Sequence, residues 1–208
     1  MRKIGILGGT FNPIHNGHVK MAVEACEHFD FDALLLIPSG YSYMKSEDEI
    51  ADAKMRLEMA ELAMENHPQI HVSDLEIKRV GPSYTCETIK ELRETYHDAE
   101  FYFIIGADTL SNIEKWKEPD YIFSNVNIAV KLRDDIPAPS EKECLKLSLQ
   151  KQIDYLKRKY HARITFLPGE KLDISSRVIR DMVRNNKDIS NLVPTKVAAY
   201  IKNHHLYM

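Results

Sequence analysis

Two histidines three residues apart, His15 and His18, stand behind two adjacent glycines in the stretch Gly8-Gly9-Thr10-Phe11-Asn12-Pro13-Ile14-His15-Asn16-Gly17-His18. At the start of a helix such a pair can face one way, and imidazoles donate to phosphoryl oxygens as negative charge builds on them. Gly8 and Gly9 let the backbone come close to a ligand, and Pro13 stiffens the turn. Asn16 is a fair N-cap, and the open N–H groups of a first helical turn beneath a glycine-rich loop make a ready site for phosphate. Either histidine alone reads as a solvated helix start; the whole string reads as an anion site. H-x-x-H also suggests a metal, but no third histidine or cysteine ligand sits nearby, which speaks against zinc.

Further cations and rings fall at points where a ligand would lie. Lys45 follows the carboxyl end of the apolar run Ala33–Ile37, the side on which open α/β sheets bind ligands, and can reach a phosphate as a mobile point charge. A lone loop lysine is as readily just solvated. Arg177 and Arg180 fall near the first turn of a helix opened by Ser175 or Ser176, where cations oppose the helix dipole by about 0.3–1 kcal/mol each. A bound anion reverses that penalty, so Arg180 is expected at an anion site. Arg177 is left open between such a site, solvent, and a pair with Asp181. Gly106 ends the run Phe101–Ile105 and permits close approach of a ring or sugar; Asp108 after it reads as a helix cap. Trp116, the only tryptophan, sits among charges and suits either half-buried packing or stacking on a flat ligand ring.

The elements that must carry these groups alternate along the chain. Six short apolar runs read as buried strands: 3–7, 33–37, 70–72, 101–105, 126–130 and 163–167. Helical spacing follows the first run through Val19, Ala22, Val23, Cys26 and Phe29. It recurs over Asp52–Met64 with Met55, Met59, Leu62 and Ala63 inward, after Gly81–Thr85 with Ser83 or Thr85 as cap, over Glu141–Tyr160, and after Pro194. This predicts an α/β fold with a Rossmann-like, doubly wound, mostly parallel sheet, in a single domain spanning 1–208.

Composition narrows the function classes. A net charge of −3 over 208 residues carries no basic footprint for nucleic acid. Cys26, Cys86 and Cys144 make neither a disulfide framework nor a metal pattern. No apolar stretch suits a membrane span, and the N-terminus enters a strand at once, so a cytoplasmic protein is expected. Oligomeric state is open.

The eleven-residue string resembles the signature of the H-x-G-H nucleotidyltransferase superfamily, and Ile174-Ser175-Ser176-Arg177-Val178-Ile179-Arg180 resembles its second signature, I-S-S-T-x-I-R. With Gly81-Pro82-Ser83-Tyr84-Thr85, and Ile105-Gly106-Ala107-Asp108 followed by Trp116, the chain is similar over nearly its full length to bacterial nicotinate-nucleotide adenylyltransferases. The resemblance implies transfer of AMP from ATP to nicotinate mononucleotide, releasing pyrophosphate, with Mg²⁺ carried on the phosphates. It implies catalytic roles for His15, His18, Lys45 and Arg180. It places ATP at Gly8, Gly9, Thr10, Phe11, Gly106, Asp108, Ser175 and Ser176, the acceptor at Tyr84, Thr85, Trp116 and Arg133, and no metal on protein ligands. Three positions depart from the pattern: Asn12 stands where the family more often has Asp, Arg177 replaces Thr, and Tyr41–Met44 replaces a proline- and histidine-containing loop. The chemistry agrees, because the acceptor is itself an anionic phosphate and no protein nucleophile is needed. Other readings are a sister transferase acting on phosphopantetheine or another phosphate acceptor, a non-catalytic nucleotide sensor, and a fragment of a class I aminoacyl-tRNA synthetase.

Overall fold

The computed structural model describes residues 1–40, 50–131, 139–169 and 174–208, with the backbone alone for 139–146. Its strands are β1 (Arg2–Gly9), β2 (Ala33–Pro38), β3 (Ile70–Val72), β4 (Ala99–Gly106), β5 (Asn127–Lys131) and β6 (Arg163–Leu167). Its helices are α1 (Asn16–Phe29), α2 (Ala53–Met64), α3 (Leu75–Lys78), α4 (Thr85–Thr95), α5 (Ala107–Leu110), α6 (Pro119–Asn125), α7 (Pro139–Tyr160), α8 (Ser176–Arg184) and α9 (Thr195–Asn203). All six expected strands form, in one sheet of order β3-β2-β1-β4-β5-β6. The pairings β1–β4, β2–β3, β4–β5 and β5–β6 are parallel. Chain order runs outward from β1 in both directions, the doubly wound arrangement.

The strand centres are mainly apolar because both faces of such a sheet are covered. Ile4, Ile6 and Leu7 of β1, Leu34 to Ile37 of β2, and Ile128 to Val130 of β5 are all buried. The two strands at the ends of the sheet order are more open: His71 of β3 and Arg163, Thr165 and Phe166 of β6 are exposed.

The fold gathers into two compact units, each built from separated pieces of chain. One comprises Met1–Leu7, Glu24–Ala33 and Tyr84–Lys171; the other comprises Gly8–Val23, Leu34–Ser83 and Leu172–Met208. In the first, Lys131 ends β5 fully buried. Its ammonium donates to Glu24 Oε2 (2.6 Å) and to the carbonyl of Pro168 (2.7 Å), which is how a lysine is tolerated there. In the second, α9 lies on α2: Tyr200 donates to Glu58, and Lys196 pairs with Glu65.

Several local expectations are corrected. α1 begins at Asn16, so His15 rather than Asn16 holds the N-cap position. α4 has Tyr84 at its N-cap with no side-chain cap bond, in place of Ser83 or Thr85. Gly106, and not Asp108, precedes α5 as its N-cap residue. The buried face of α2 is Arg56, Met59, Ala60, Ala63 and Met64; Met55 and Leu62 are only half-buried. Arg56 turns inward because backbone carbonyls receive it, which apolar periodicity does not reveal. Cys26 and Cys86 are buried free thiols, and burial followed by the charge of Glu27 pushes Cys26 up to about 11. Among the described residues no helix is long and apolar enough to cross a membrane.

Candidate active site

The turn after β1 is held by backbone. The Ser39 amide donates to the Gly9 carbonyl (2.8 Å), and Phe11 takes a left-handed conformation (φ 48°). Gly9 has a close neighbour in its own chain: a Cβ there would meet the Phe11 ring at 3.1 Å. Phe11 is buried and stands edge-on to the His18 ring, centroids 5.0 Å apart. Gly8 is exposed and Thr10 half-buried.

His15 and His18 stack, with centroids 3.7 Å apart and planes 23° apart. His15 is buried and His18 half-buried. The His15 amide donates to His18 Nδ1 (3.3 Å), while the amides of His18 and Val19 return to the His15 carbonyl (2.8 and 3.2 Å). With His15 at N-cap and His18 at N3, this is the return half of a capping box, with imidazole in the place of glutamate. The bond has a chemical consequence: Nδ1 is the acceptor, so the neutral His18 ring carries its proton on Nε2. The first turn is less open than expected, because the Asn16 amide donates to the Leu192 carbonyl (2.9 Å) and its side chain to Asn191.

Asn12 ties the turn to the rest of its unit. It is buried, its Oδ1 accepts from the Ala51 amide (3.0 Å) and the Tyr207 hydroxyl (2.8 Å), and its carbonyl accepts from Arg180 Nη1 (3.0 Å). Burial raises the Tyr207 phenol well above its usual range, opposed by the positive charges of Arg180 and Arg56. Ser176 Oγ donates to the Pro13 carbonyl (2.9 Å). The second signature therefore folds against the first through Ser176 and Arg180. Ser175 is the N-cap of α8 without a side-chain cap bond, and Arg177 is exposed. Asp181 pairs with Arg184 (3.0 Å); of the alternatives left open for Arg177, its exposure agrees with the solvent-facing one.

The acceptor-side residues lie in the other compact unit. Tyr84 and Thr85 open α4, whose leading amides have no partner within the helix. Lys117 Nζ lies 4.7 Å from the Tyr84 ring centroid. Trp116 is half-buried and edge-on to Phe103, centroids 6.0 Å apart. Space is open where a Cβ would stand on Gly106, and Asp108 is exposed in α5. Lys45 and Arg133 lie outside the described residues.

Cys86, Glu87 and Glu118 form the one group of three metal-ligating side chains among the described residues. It is already engaged: Lys117 bonds Glu87 (2.9 Å) and Lys90 bonds Glu118 (3.0 Å). The lysine bonds hold the Glu87 carboxyl below its usual value. This donor set fits an internal charge network. Sequence patterning missed two contributors: Arg56 reads as a polar position on a helix, and Tyr207 sits in a terminal tail with no motif around it.

The cytidylyltransferase-like family model matches residues 6–192. A protein of Lachnoclostridium phytofermentans named "Probable nicotinate-nucleotide adenylyltransferase" is 38% identical over the full length of both chains. One of Clostridium acetobutylicum with the same name is also 38% identical over the full length of both. Among solved structures, the Plasmodium falciparum nicotinic acid mononucleotide adenylyltransferase complexed with NaAD matches with TM-score 0.77 at 20% identity, covering 100% of this chain and 98% of the other, a likeness of fold.

Proposed function

The chain belongs to the cytidylyltransferase-like family and within it to the nicotinate-nucleotide adenylyltransferases, and we propose from that footing how its residues carry out the transfer of AMP from ATP to nicotinate mononucleotide. The observation that carries the reading is the His15–His18 pair with its proton directed to Nε2. An acceptor phosphate oxygen attacks the α-phosphorus, the bond to the β-phosphate oxygen breaks, and pyrophosphate leaves with the electron pair. No protein nucleophile takes part, so the protein contributes alignment and charge stabilisation. His18 Nε2–H donates to an α-phosphoryl oxygen as negative charge grows there. His15, stacked behind it, holds the ring. Arg180, anchored to the Asn12 carbonyl through Nη1, brings a fixed positive charge to the triphosphate, and Lys45 supplies a mobile one. Mg²⁺ on the phosphates would neutralise charge on the leaving pyrophosphate.

ATP then rests on the glycine turn, with Gly106 and Asp108 toward the nucleoside. The acceptor's ring stacks on Trp116, and its carboxylate takes the leading amides of α4 at Thr85, with Tyr84 and Arg133 beside it. A carboxylate accepts with both oxygens, whereas a carboxamide sets donor against donor. The acid is therefore expected to exceed the amide in kcat/KM by on the order of 10²–10³. The test presents ATP with nicotinate mononucleotide, its amide and phosphopantetheine, and follows pyrophosphate. Release with phosphopantetheine alone would overturn the assignment, and equal rates with acid and amide would overturn the role of Thr85.

A further inference from the structure

Arg56 belongs to no group assigned above, yet it is only 2% exposed. Its three donor positions all meet backbone carbonyls: Nε to Ala51 (2.9 Å), Nη1 to Thr10 (2.7 Å) and Nη2 to Gly40 (3.1 Å). Burial lowers its pKa, while Tyr207 and Asp52 favour the charge. A buried guanidinium is costly to desolvate and is a poor choice where an apolar residue would pack as well. What distinguishes it is the fork, which can hold three carbonyls in one fixed geometry; an ammonium is a single point.

Those carbonyls bracket the motif turn. Thr10 lies between Gly9 and Phe11, and the Phe11 ring abuts His18. Ala51 is gripped from both sides, its carbonyl by Arg56 and its amide by Asn12 Oδ1. One guanidinium thus holds the turn directly at Thr10 and, through Ala51, at Asn12. We propose that Arg56 is a positioning residue for phosphoryl transfer, fixing the Thr10–Asn12 turn and through Phe11 the ring of His18. This rests on the reading of His18 as the phosphoryl donor.

The test is a double-mutant cycle of Arg56→Lys and His18→Ala, with kcat and both KM values measured on protein whose folding is checked by circular dichroism. Since a displacement of about 1 Å in a catalytic group costs on the order of 10²-fold, Arg56→Lys is expected to lower kcat by about 10–100-fold and to leave the mononucleotide KM within about twofold. Because the two residues act through one ring, the double variant should be no more than about threefold slower than His18→Ala. If Arg56→Lys does not accumulate folded, Arg56→Gln takes its place in the cycle. Losses that multiply, or a folded Arg56 variant with wild-type kcat, overturn the proposal alone. A His18→Ala enzyme with wild-type turnover overturns both the His18 reading and the route through it.

Discussion

In the proposed mechanism His18 does two jobs with one ring: Nδ1 accepts the His15 amide at the start of α1, and Nε2–H serves the phosphoryl group. His18→Ala should lower kcat by on the order of 10²–10³, as losing one charge-stabilising donor does, with ATP binding changed far less. Stopped assays and equilibrium ATP titration separate the two quantities. Loss of the cap should also cost about 0.5–2 kcal/mol in urea unfolding. Asn12 illustrates the opposite case. Its Oδ1 only accepts, from the Ala51 amide and the Tyr207 hydroxyl, and a carboxylate accepts equally well. Asn12→Asp should therefore shift unfolding by less than about 1 kcal/mol and leave turnover within a few-fold, measured by urea titration and steady-state kinetics.

Short elements are what set these residues in place. Gly40, just past β2, has three neighbours at once. Its amide donates to Ser83 Oγ (3.1 Å), its carbonyl accepts from Arg56, and its Cα faces α3, where an added Cβ would collide with the Glu76 carbonyl oxygen. That oxygen is backbone, so it cannot swing aside. Gly40→Ala should destabilise by about 1–3 kcal/mol through overpacking. It should also lower kcat, since Arg56 shares the displaced carbonyl. An unchanged urea midpoint would mean that α3 moves freely.

On the scale of the whole molecule, distant pieces of chain are joined at buried polar points. Lys131 connects β5 to Glu24 in α1, 107 residues away, and to Pro168 after β6, 37 residues away. Lys131→Met leaves the Glu24 carboxylate without this partner; because Glu24 retains some exposure, the expected loss is about 2–3 kcal/mol rather than the upper range for a buried pair. Lys131→Met with Glu24→Gln should recover part of that loss in the same unfolding measurement.

Strand positions, the doubly wound sheet and the family were all legible in the amino-acid string. Continuous apolar runs mark strands buried on both faces, and the two signatures are local in sequence. The stacking of His15 and His18 was half-legible: spacing put them on one face, but the capping bond that sets the tautomer depends on α1 starting one residue earlier than Asn16 suggests as a cap. Short helices such as α3 and α5 carry too few turns to show a period. Arg56 and Tyr207 were illegible for a different reason. Periodicity reports which positions are apolar, whereas these two are inward because carbonyls and an amide oxygen from distant segments receive their hydrogens. A buried donor is defined by its partners, and only the tertiary structure brings Thr10, Gly40, Ala51 and Asn12 to them.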